Sequence, residues 1–75
     1  MNLTDFGIFT SRQYIERGGV YFPVTVFTRG ENEIVTNRVL LDDEIAGIVE
    51  DAQKSFADYS LFFRVALRLN RANLI

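Results

Sequence analysis

The stretch FFRVALRLN, residues 62–70, decides which fold the sequence predicts. From Phe63 onward, apolar residues alternate with arginine, alanine and asparagine, and strict alternation is typical of a strand with one buried face. This interpretation places Arg64 and Arg68 side by side on the exposed face. The alternative is a second helix over residues 61–72, because the same stretch is rich in good helix formers. The regularity of the alternation favours the strand.

Three more strands are predicted upstream of this one. The stretches DFGIFTSRQYI, GVYFPVTVFTR and IVTNRVLL are rich in β-branched and aromatic residues, which favour strands. The turn signals ERGG and GENE separate them and predict two successive hairpins, an antiparallel meander. Pro23 disturbs the middle strand, because proline cannot donate to the ladder. We expect it to mark a bulge or the point where one pairing stops.

The stretch between the third and fourth strands has the period of a helix. In DDEIAGIVEDAQKSFADYS, residues 42–60, apolar residues recur at spacings of three and four and form one stripe. The stripe consists of Ile45, Ile48, Val49, Ala52, Phe56 and Tyr59. We expect Asp42 or Asp43 to cap the helix start and Gly47 to allow a close approach of the helix to the sheet.

The predicted element order is therefore β-β-β-α-β. The helix is expected to cover one face of a four-stranded sheet, which gives an α+β two-layer sandwich. Of the 75 residues, 48% are hydrophobic and 24% are charged. A chain of this length and composition is expected to form a single folded domain, residues 1–75.

The composition excludes several kinds of chemistry. The chain contains no cysteine and no histidine, so it has no thiol nucleophile, no imidazole base and none of the common zinc sites. It also lacks the glycine-rich motif of a phosphate-binding loop. We therefore predict no catalytic residue, no metal, no cofactor and no small-molecule substrate, and hence no enzyme.

The sequence also predicts where the protein works. The first residues, MNLTDFGIFTSRQ, lack the long apolar run of a secretory signal. No stretch approaches the roughly 20 apolar residues that cross a bilayer. The expected location is the cytoplasm, including that of a virus-infected host cell, and no membrane partner is expected.

The exposed sheet face is the predicted binding surface. It combines arginines with aromatic rings, which protein interfaces enrich, and exposed rings form an apolar patch that monomers rarely leave bare. The predicted contact residues are Tyr21, Phe27, Arg38, Phe62, Arg64 and Arg68. Arg12 and Tyr14 join them if the first strand turns the same face outward.

A second, acidic surface is predicted on the helix. Residues 42–59 contain six acidic residues against one lysine, whereas the basic residues elsewhere are all arginine. The acidic surface comprises Asp43, Glu44, Glu50 and Asp51. It would suit a cationic partner.

These features predict a non-catalytic protein-binding module that docks on a protein partner or on a second copy of itself. In its size, acidity and lack of cysteine the chain resembles phage-encoded inhibitors of host or defence proteins, a likeness that no motif carries. An inhibitor or accessory role is the corresponding expectation.

The alternative is a single-stranded nucleic-acid-binding protein, in which the same face stacks bases and holds phosphates. The net charge of −2 counts against this alternative.

Overall fold

Three antiparallel strands and two helices make up the fold. The computed structural model describes residues 2–55 and 58–75. After a 3-10 turn the elements are the strands β1 (Phe9–Arg17), β2 (Val20–Arg29) and β3 (Asn32–Val35), followed by the helices α1 (Asp42–Lys54) and α2 (Leu61–Arg71). The predicted α+β class and the antiparallel meander are confirmed. The predicted fourth strand is wrong, because the described residues contain no strand after β3.

The first two strands form a long hairpin with a tight turn. They pair without a skipped residue up to Arg17, which lies opposite Val20. Gly18 and Gly19 connect them with φ angles of +59° and +82°. Two successive left-handed residues are what a two-residue type I′ turn requires, and this turn matches the twist of the strands that it joins. The glycine pair therefore fixes the register of the hairpin.

Pro23 lies inside this ladder, opposite Tyr14. In a two-residue hairpin the hydrogen-bonded pairs alternate from the closing pair, Arg17 and Val20, so the pair formed by Tyr14 and Pro23 makes no ladder bonds. The predicted bulge is wrong, because the register is uninterrupted. The other prediction, that one pairing stops near Pro23, agrees with the pairing of β3, which extends only to Val26 of β2.

Residues 24–27 of β2 are buried, although neighbouring residues of a strand point to opposite faces. Thr25 is held by Thr36, whose hydroxyl accepts the N–H of Thr25 at 3.0 Å and donates to its C=O at 2.9 Å. Phe27 has 0% of its surface exposed and belongs to the hydrophobic core. The prediction that Phe27 lies on the exposed sheet face is therefore wrong.

Residues 61–71 form a helix, which was the rejected alternative for this stretch. Ser60 caps its start, since its Oγ accepts the N–H of Phe63 at 3.3 Å. Leu61, Val65 and Leu69 recur at every fourth position and are buried in the core. Phe63, which the strand would bury, is 45% exposed. The cap and the spacing of four therefore prevail over the alternation.

Helix α1 is shorter than predicted, because it ends at Lys54. Tyr59, the last member of the predicted stripe, lies beyond the helix and is exposed, with its ring 4.7 Å from that of Phe63. Phe56 lies outside the described residues. The remaining members of the stripe pack inward as predicted: Ile45, Ile48, Val49 and Ala52.

The start of α1 also differs from the prediction. Its N-cap residue is Leu41, and the side chain of Glu44 accepts the N–H of Leu41 at 3.2 Å. Asp42 and Asp43 instead occupy the first turn, where their charge suits the positive end of the helix dipole. A Cβ added to Gly47 would meet nothing within 4 Å. The predicted close approach of helix and sheet at Gly47 is therefore wrong.

The core joins both helices to one end of the sheet. Its strand residues, Phe27 and Ile34, lie at the end of the sheet opposite the Gly18–Gly19 turn. Among the described residues the cluster consists of Ile8, Phe27, Ile34, Leu40, Ile48, Ala52, Leu61, Val65 and Leu69. The helices therefore pack on the β3 end of the hairpin and leave its turn end bare.

Candidate protein-interaction surface

The six residues predicted to form one binding surface lie in different parts of the molecule. Tyr21 is on the hairpin, Phe27 is in the core, and Phe62 is partly buried against the core. The remaining members are Arg38 in the loop before α1 and Arg64 and Arg68 on α2. The predicted sheet face is not formed, because its fourth strand is a helix.

Arg64 and Arg68 attach α2 to the end of α1. Nη1 of Arg64 donates to the backbone C=O groups of Ala52 and Gln53, both at 3.3 Å. These carbonyls belong to the last turn of α1, where helices leave C=O groups without an intrahelical partner. Nε of Arg68 donates to Oδ2 of Asp51 at 3.1 Å. Both arginines therefore have a structural role between the two helices.

Arg38 forms a bidentate pair with Glu44. The two nitrogen–oxygen distances are 2.5 Å and 3.0 Å. The hydrogen bond from Arg38, together with the one from the N–H of Leu41, lowers the pKa of Glu44 to about 2. The same pair raises the pKa of Arg38. Arg38 therefore fastens its loop to the first turn of α1 and is not displayed beside Arg64 and Arg68.

The predicted acidic surface is largely neutralised within the chain. Glu44 and Asp51 pair with Arg38 and Arg68, and Glu50 pairs with Lys54 at 3.1 Å. Of the four predicted members only Asp43 has no ion pair among the described residues. Helix α1 therefore presents less free negative charge than its sequence indicates.

A bare surface with many apolar side chains lies at the turn end of the hairpin, residues 12–23, which we call the arm. Its apolar side chains are unusually accessible: Tyr14 and Tyr21 are each 69% exposed, Val20 is 53% exposed and Phe22 is 43% exposed. Pro23 is also exposed. No comparable run of exposed apolar residues occurs elsewhere in the described part of the chain.

Both faces of the arm carry apolar side chains. Residues directly opposite each other share a face, so the register divides the arm into two sets. The first face holds Arg12, Tyr14, Glu16, Tyr21 and Pro23. The second face holds Gln13, Ile15, Arg17, Val20 and Phe22. Neither face is polar throughout, as the solvated face of a one-sided sheet would be.

The arm also carries two arginines without an ion pair. Within residues 2–55 and 58–75, no acidic side chain pairs with Arg12 or Arg17. Glu16 uses one oxygen to accept the N–H of Gly19 at 2.7 Å, which supports the turn. The combination of arginine and aromatic rings that the sequence predicted on the sheet is therefore present, but on the arm.

A groove of about 750 Å³ lies between α1 and the start of β1. Ile8, Ile45 and Val49 contribute apolar surface, and Asp42 and Glu50 contribute carboxylates. Its described lining includes no histidine or cysteine, because the chain has none. The groove therefore offers a mixed apolar and acidic surface.

Two further kinds of site were searched for within the described residues. No group of three or more acidic side chains is arranged to hold a metal ion. No helix in residues 2–55 or 58–75 has the length and apolar character needed to cross a membrane.

Comparison with known proteins yields no relative. No protein-family model matches the chain. Curated protein sequences and solved structures give no match either. The functional argument therefore depends on the chain's own side chains.

The signal for the arm was present in the sequence. In YI and VYF, on either side of the glycine turn, apolar residues occupy consecutive positions. Consecutive apolar residues in a strand place apolar side chains on both faces, whereas the predicted two-layer fold covers one face only. Of the predicted contact residues, Tyr21 lies on the arm, as do Arg12 and Tyr14.

Proposed function

We propose that this protein is a non-catalytic protein-binding module that uses the arm to contact its partner. The observation that carries the proposal is the exposure of Tyr14, Tyr21 and Phe22 on two faces of one ordered hairpin. Monomeric proteins rarely leave such apolar patches uncovered, and larger ones mark interaction sites. The proposed partner is a protein that covers these rings.

The composition of the arm supports this proposal. Tyrosine and arginine are the residue types that most often dominate binding energy at protein interfaces. Tyr14 and Tyr21 occur there with Arg12 on the same face. Arginine suits a desolvated contact because its planar group pairs with carboxylates and stacks on rings.

The backbone pairing of the arm supports the same conclusion. The ladder is uninterrupted and ends in a two-glycine turn, so the backbone positions that carry the rings are set before a partner arrives. Preorganised contacts lose less conformational entropy on binding. The proposal assigns no chemical step to the chain. An inhibitor or accessory role, as expected from the sequence, depends on which protein the arm contacts.

A second candidate function is binding of single-stranded nucleic acid. The observation that favours it is the placement of Arg12, Tyr14 and Tyr21 on one face, because exposed rings stack bases and arginine binds phosphate. The net charge of −2 weakens the long-range attraction to a polyanion. Protein binding is therefore the preferred proposal.

The test is site-specific photo-crosslinking. A benzoylphenylalanine replaces Tyr21, and the labelled protein is irradiated in a lysate of cells that express it. The control carries the same group at Ile75, an exposed apolar residue at the end of the chain. We expect a discrete protein to be captured from position 21 and not from position 75. Equal capture from both positions would contradict the proposal.

Competition makes the test quantitative. Unlabelled wild-type protein should suppress the capture, and the double variant Tyr21→Ser with Phe22→Ser should do so at least about tenfold less well, because each lost ring removes binding energy. Ile75→Ser is the matched competitor and should act like the wild type. Circular dichroism establishes that the variants are folded. A double variant that competes like the wild type would exclude the arm as the contact surface.

A nucleic-acid binding assay with a further variant, Arg12→Ser, separates the two candidate functions. Labelled single-stranded oligonucleotides are titrated at low and moderate salt and followed by fluorescence anisotropy. The protein-binding proposal expects no salt-sensitive binding. Salt-sensitive binding that is lost in Arg12→Ser would assign the arm to nucleic acid instead.

A further inference from the structure

Strand β1 pairs with β2 along one edge, and its other edge is free. The geometry of the turn determines which backbone groups point towards that free edge. The closing pair of a two-residue hairpin, Arg17 and Val20, is hydrogen-bonded, and hydrogen-bonded pairs then alternate along the ladder. The odd-numbered residues of β1 therefore bond to β2. The even-numbered ones point their N–H and C=O groups away from it. These residues are Thr10, Arg12, Tyr14 and Glu16.

The bonds of Thr25 agree with this assignment. Thr25 lies opposite Arg12, so its backbone groups should also point away from β1. Its C=O accepts the N–H of Thr36 at 3.0 Å, and its N–H donates to the Thr36 hydroxyl at 3.0 Å, both on the β3 side. The backbone N–H and C=O groups of Arg12, Tyr14 and Glu16 therefore point away from β2, towards the free edge.

The free edge of β1 has charged side chains but none of the other usual protections against strand pairing. Besides charges, proteins protect such edges with proline, bulges, short strands or a covering element. Beyond the reach of β3, the outer edge of β2 contains Pro23, which has no N–H to offer. Strand β3 is only four residues long. Strand β1 has nine residues, no proline and no bulge, and among the described residues no backbone bond reaches its outer edge.

We propose that two copies of this chain pair through the free edges of β1, antiparallel, with Tyr14 opposite Tyr14 of the second copy. In this register Arg12 lies opposite Glu16 of the second copy. The two-fold axis generates the same pair again, with Glu16 opposite Arg12 of the second copy. Each of these three opposed pairs would exchange two backbone hydrogen bonds. The result is a six-stranded sheet that continues through both molecules.

Charge complementarity selects this register. Arg12 and Glu16 flank Tyr14 at equal distances along the strand and on one face, so the two-fold pairing brings opposite charges together twice. A register centred on Arg12 or on Glu16 would oppose like charges, which destabilises a sheet. Glu16 has a second carboxylate oxygen for Arg12 of the other copy, because only Oε1 binds Gly19.

The size of the chain gives a reason for self-association. A domain of 75 residues without cysteine has a small core and no disulfide, and small domains often gain stability from oligomerisation. The arm benefits in particular, because a two-stranded ribbon alone is marginally stable. Pairing converts the bare end of each hairpin into the centre of a larger sheet.

The first test measures mass by sedimentation velocity over a range of concentrations. We expect the wild type to form a dimer as the concentration rises towards about 1 mM, where even weak interfaces are populated. Arg12→Glu places two pairs of like charges opposite each other, and it should weaken the dimer by about tenfold. A wild type that stays monomeric, or an Arg12→Glu variant that dimerises equally well, would overturn the proposal.

Charge exchange tests the register itself. The double variant Arg12→Glu with Glu16→Arg restores opposite charges across the interface, so it should dimerise more tightly than either single variant. Glu16→Arg is the matched control, because it loses the same bond to Gly19 as the double variant. A double variant no tighter than Glu16→Arg would exclude the proposed register.

A cysteine placed on the two-fold axis gives an independent test. The chain has no cysteine, so Tyr14→Cys introduces a single thiol that would face its own copy within the range of a disulfide. Mild oxidation should link this variant into a covalent dimer. Tyr21→Cys, equally exposed on the other strand, should link much more slowly. Equal rates for the two variants would overturn the proposal.

The pairing does not rest on the proposed function, because it is argued from the backbone edge of β1 and the charges of Arg12 and Glu16, whereas the capture experiment probes Tyr21 on β2. A chain that captures a partner from position 21 but remains monomeric contradicts only the pairing. A chain that dimerises but captures no partner contradicts only the proposed function.

Discussion

Tyr21 and Phe27 lie on the same face of strand β2, yet their surroundings are opposite. They are an even number of positions apart along the strand, so both side chains point to the same side of the sheet. The helices cover that side at Phe27, which is fully buried, and leave it bare at Tyr21, which is 69% exposed. The difference shows that burial in this protein depends on position along the hairpin and not on which face a residue occupies.

The two ends of the hairpin differ in how much of their side-chain surface is buried in the core. The β3 end packs with both helices and contributes Phe27 and Ile34 to the core. The arm contributes little burial, and a hairpin by itself is marginally stable in water. The arm therefore depends on the β3 end for its stability, whereas its own side chains remain free for contacts with other molecules.

The strongest test of this division compares Phe27→Ala with Tyr21→Ala. Loss of the fully buried Phe27 ring should lower the free energy of unfolding by about 3–5 kcal/mol. Tyr21→Ala should change it by less than about 0.5 kcal/mol, as is usual for surface positions. Urea unfolding followed by circular dichroism measures both values.

A loss of this size is a large part of the total stability of a small domain. If Phe27→Ala does not fold, Phe27→Leu keeps most of the side-chain volume and should show a smaller, measurable loss. The comparison fails if the Tyr21 variant is destabilised as much as either Phe27 variant.

Two glycines allow a second comparison between the ends of the molecule. Gly47 lies in the interior of α1, where an added Cβ meets nothing within 4 Å. Gly47→Ala should therefore raise the free energy of unfolding by about 1 kcal/mol, because alanine is the better helix former.

Gly19 in the turn of the arm is the contrasting position. Its φ of +82° is strained for any other residue, so Gly19→Ala should lower the free energy of unfolding by about 1 kcal/mol. Thermal unfolding followed by circular dichroism should show a higher melting temperature for Gly47→Ala and a lower one for Gly19→Ala. If Gly47→Ala also lowers the melting temperature, then the helix uses that glycine in a way that its open surroundings do not indicate.

The sequence could predict those elements in which the spacing of the apolar residues fits only a strand or only a helix. The glycine turn and the runs of β-branched residues predict β1 and β2, and the stripe from Ile45 to Ala52 predicts α1. The α2 stretch fits two periods at once. Leu61, Val65 and Leu69 lie on the buried face of a strand as well as on that of a helix, whereas Phe63 distinguishes the two structures, because only the strand would bury it. A segment this short contains too few apolar residues for periodicity to decide.

The candidate site was harder to predict, because it depends on tertiary contacts. The sequence indicates that arginines and rings share a surface, but it does not indicate which arginines are used inside the molecule. Arg64 binds carbonyls that precede it by eleven and twelve residues, and this contact exists only once α2 folds back on α1. After such internal pairing, Arg12 and Arg17 are the arginines left beside exposed rings.

The pH dependence of stability gives the smallest expected effect and the sharpest contrast in charge. Arg38 lowers the pKa of Glu44 from its ordinary value of 4.5 to about 2 in the folded chain. A carboxyl group with a lowered pKa binds fewer protons when folded, so its contribution to the free energy of unfolding is complete above pH 4.5 and is lost as the pH falls towards 2.

The wild type should therefore have a higher urea midpoint than Glu44→Gln near neutral pH, and the difference should disappear as the solution is acidified through this range. Arg38→Met removes the other half of the same pair and should show a pH dependence of the same sign but smaller, because the N–H of Leu41 still lowers the pKa of Glu44; Arg17→Met on the arm should match the wild type throughout. A difference between the wild type and Glu44→Gln that persists unchanged at the acidic end would mean that the amide disturbs the helix start for a reason other than the lost charge.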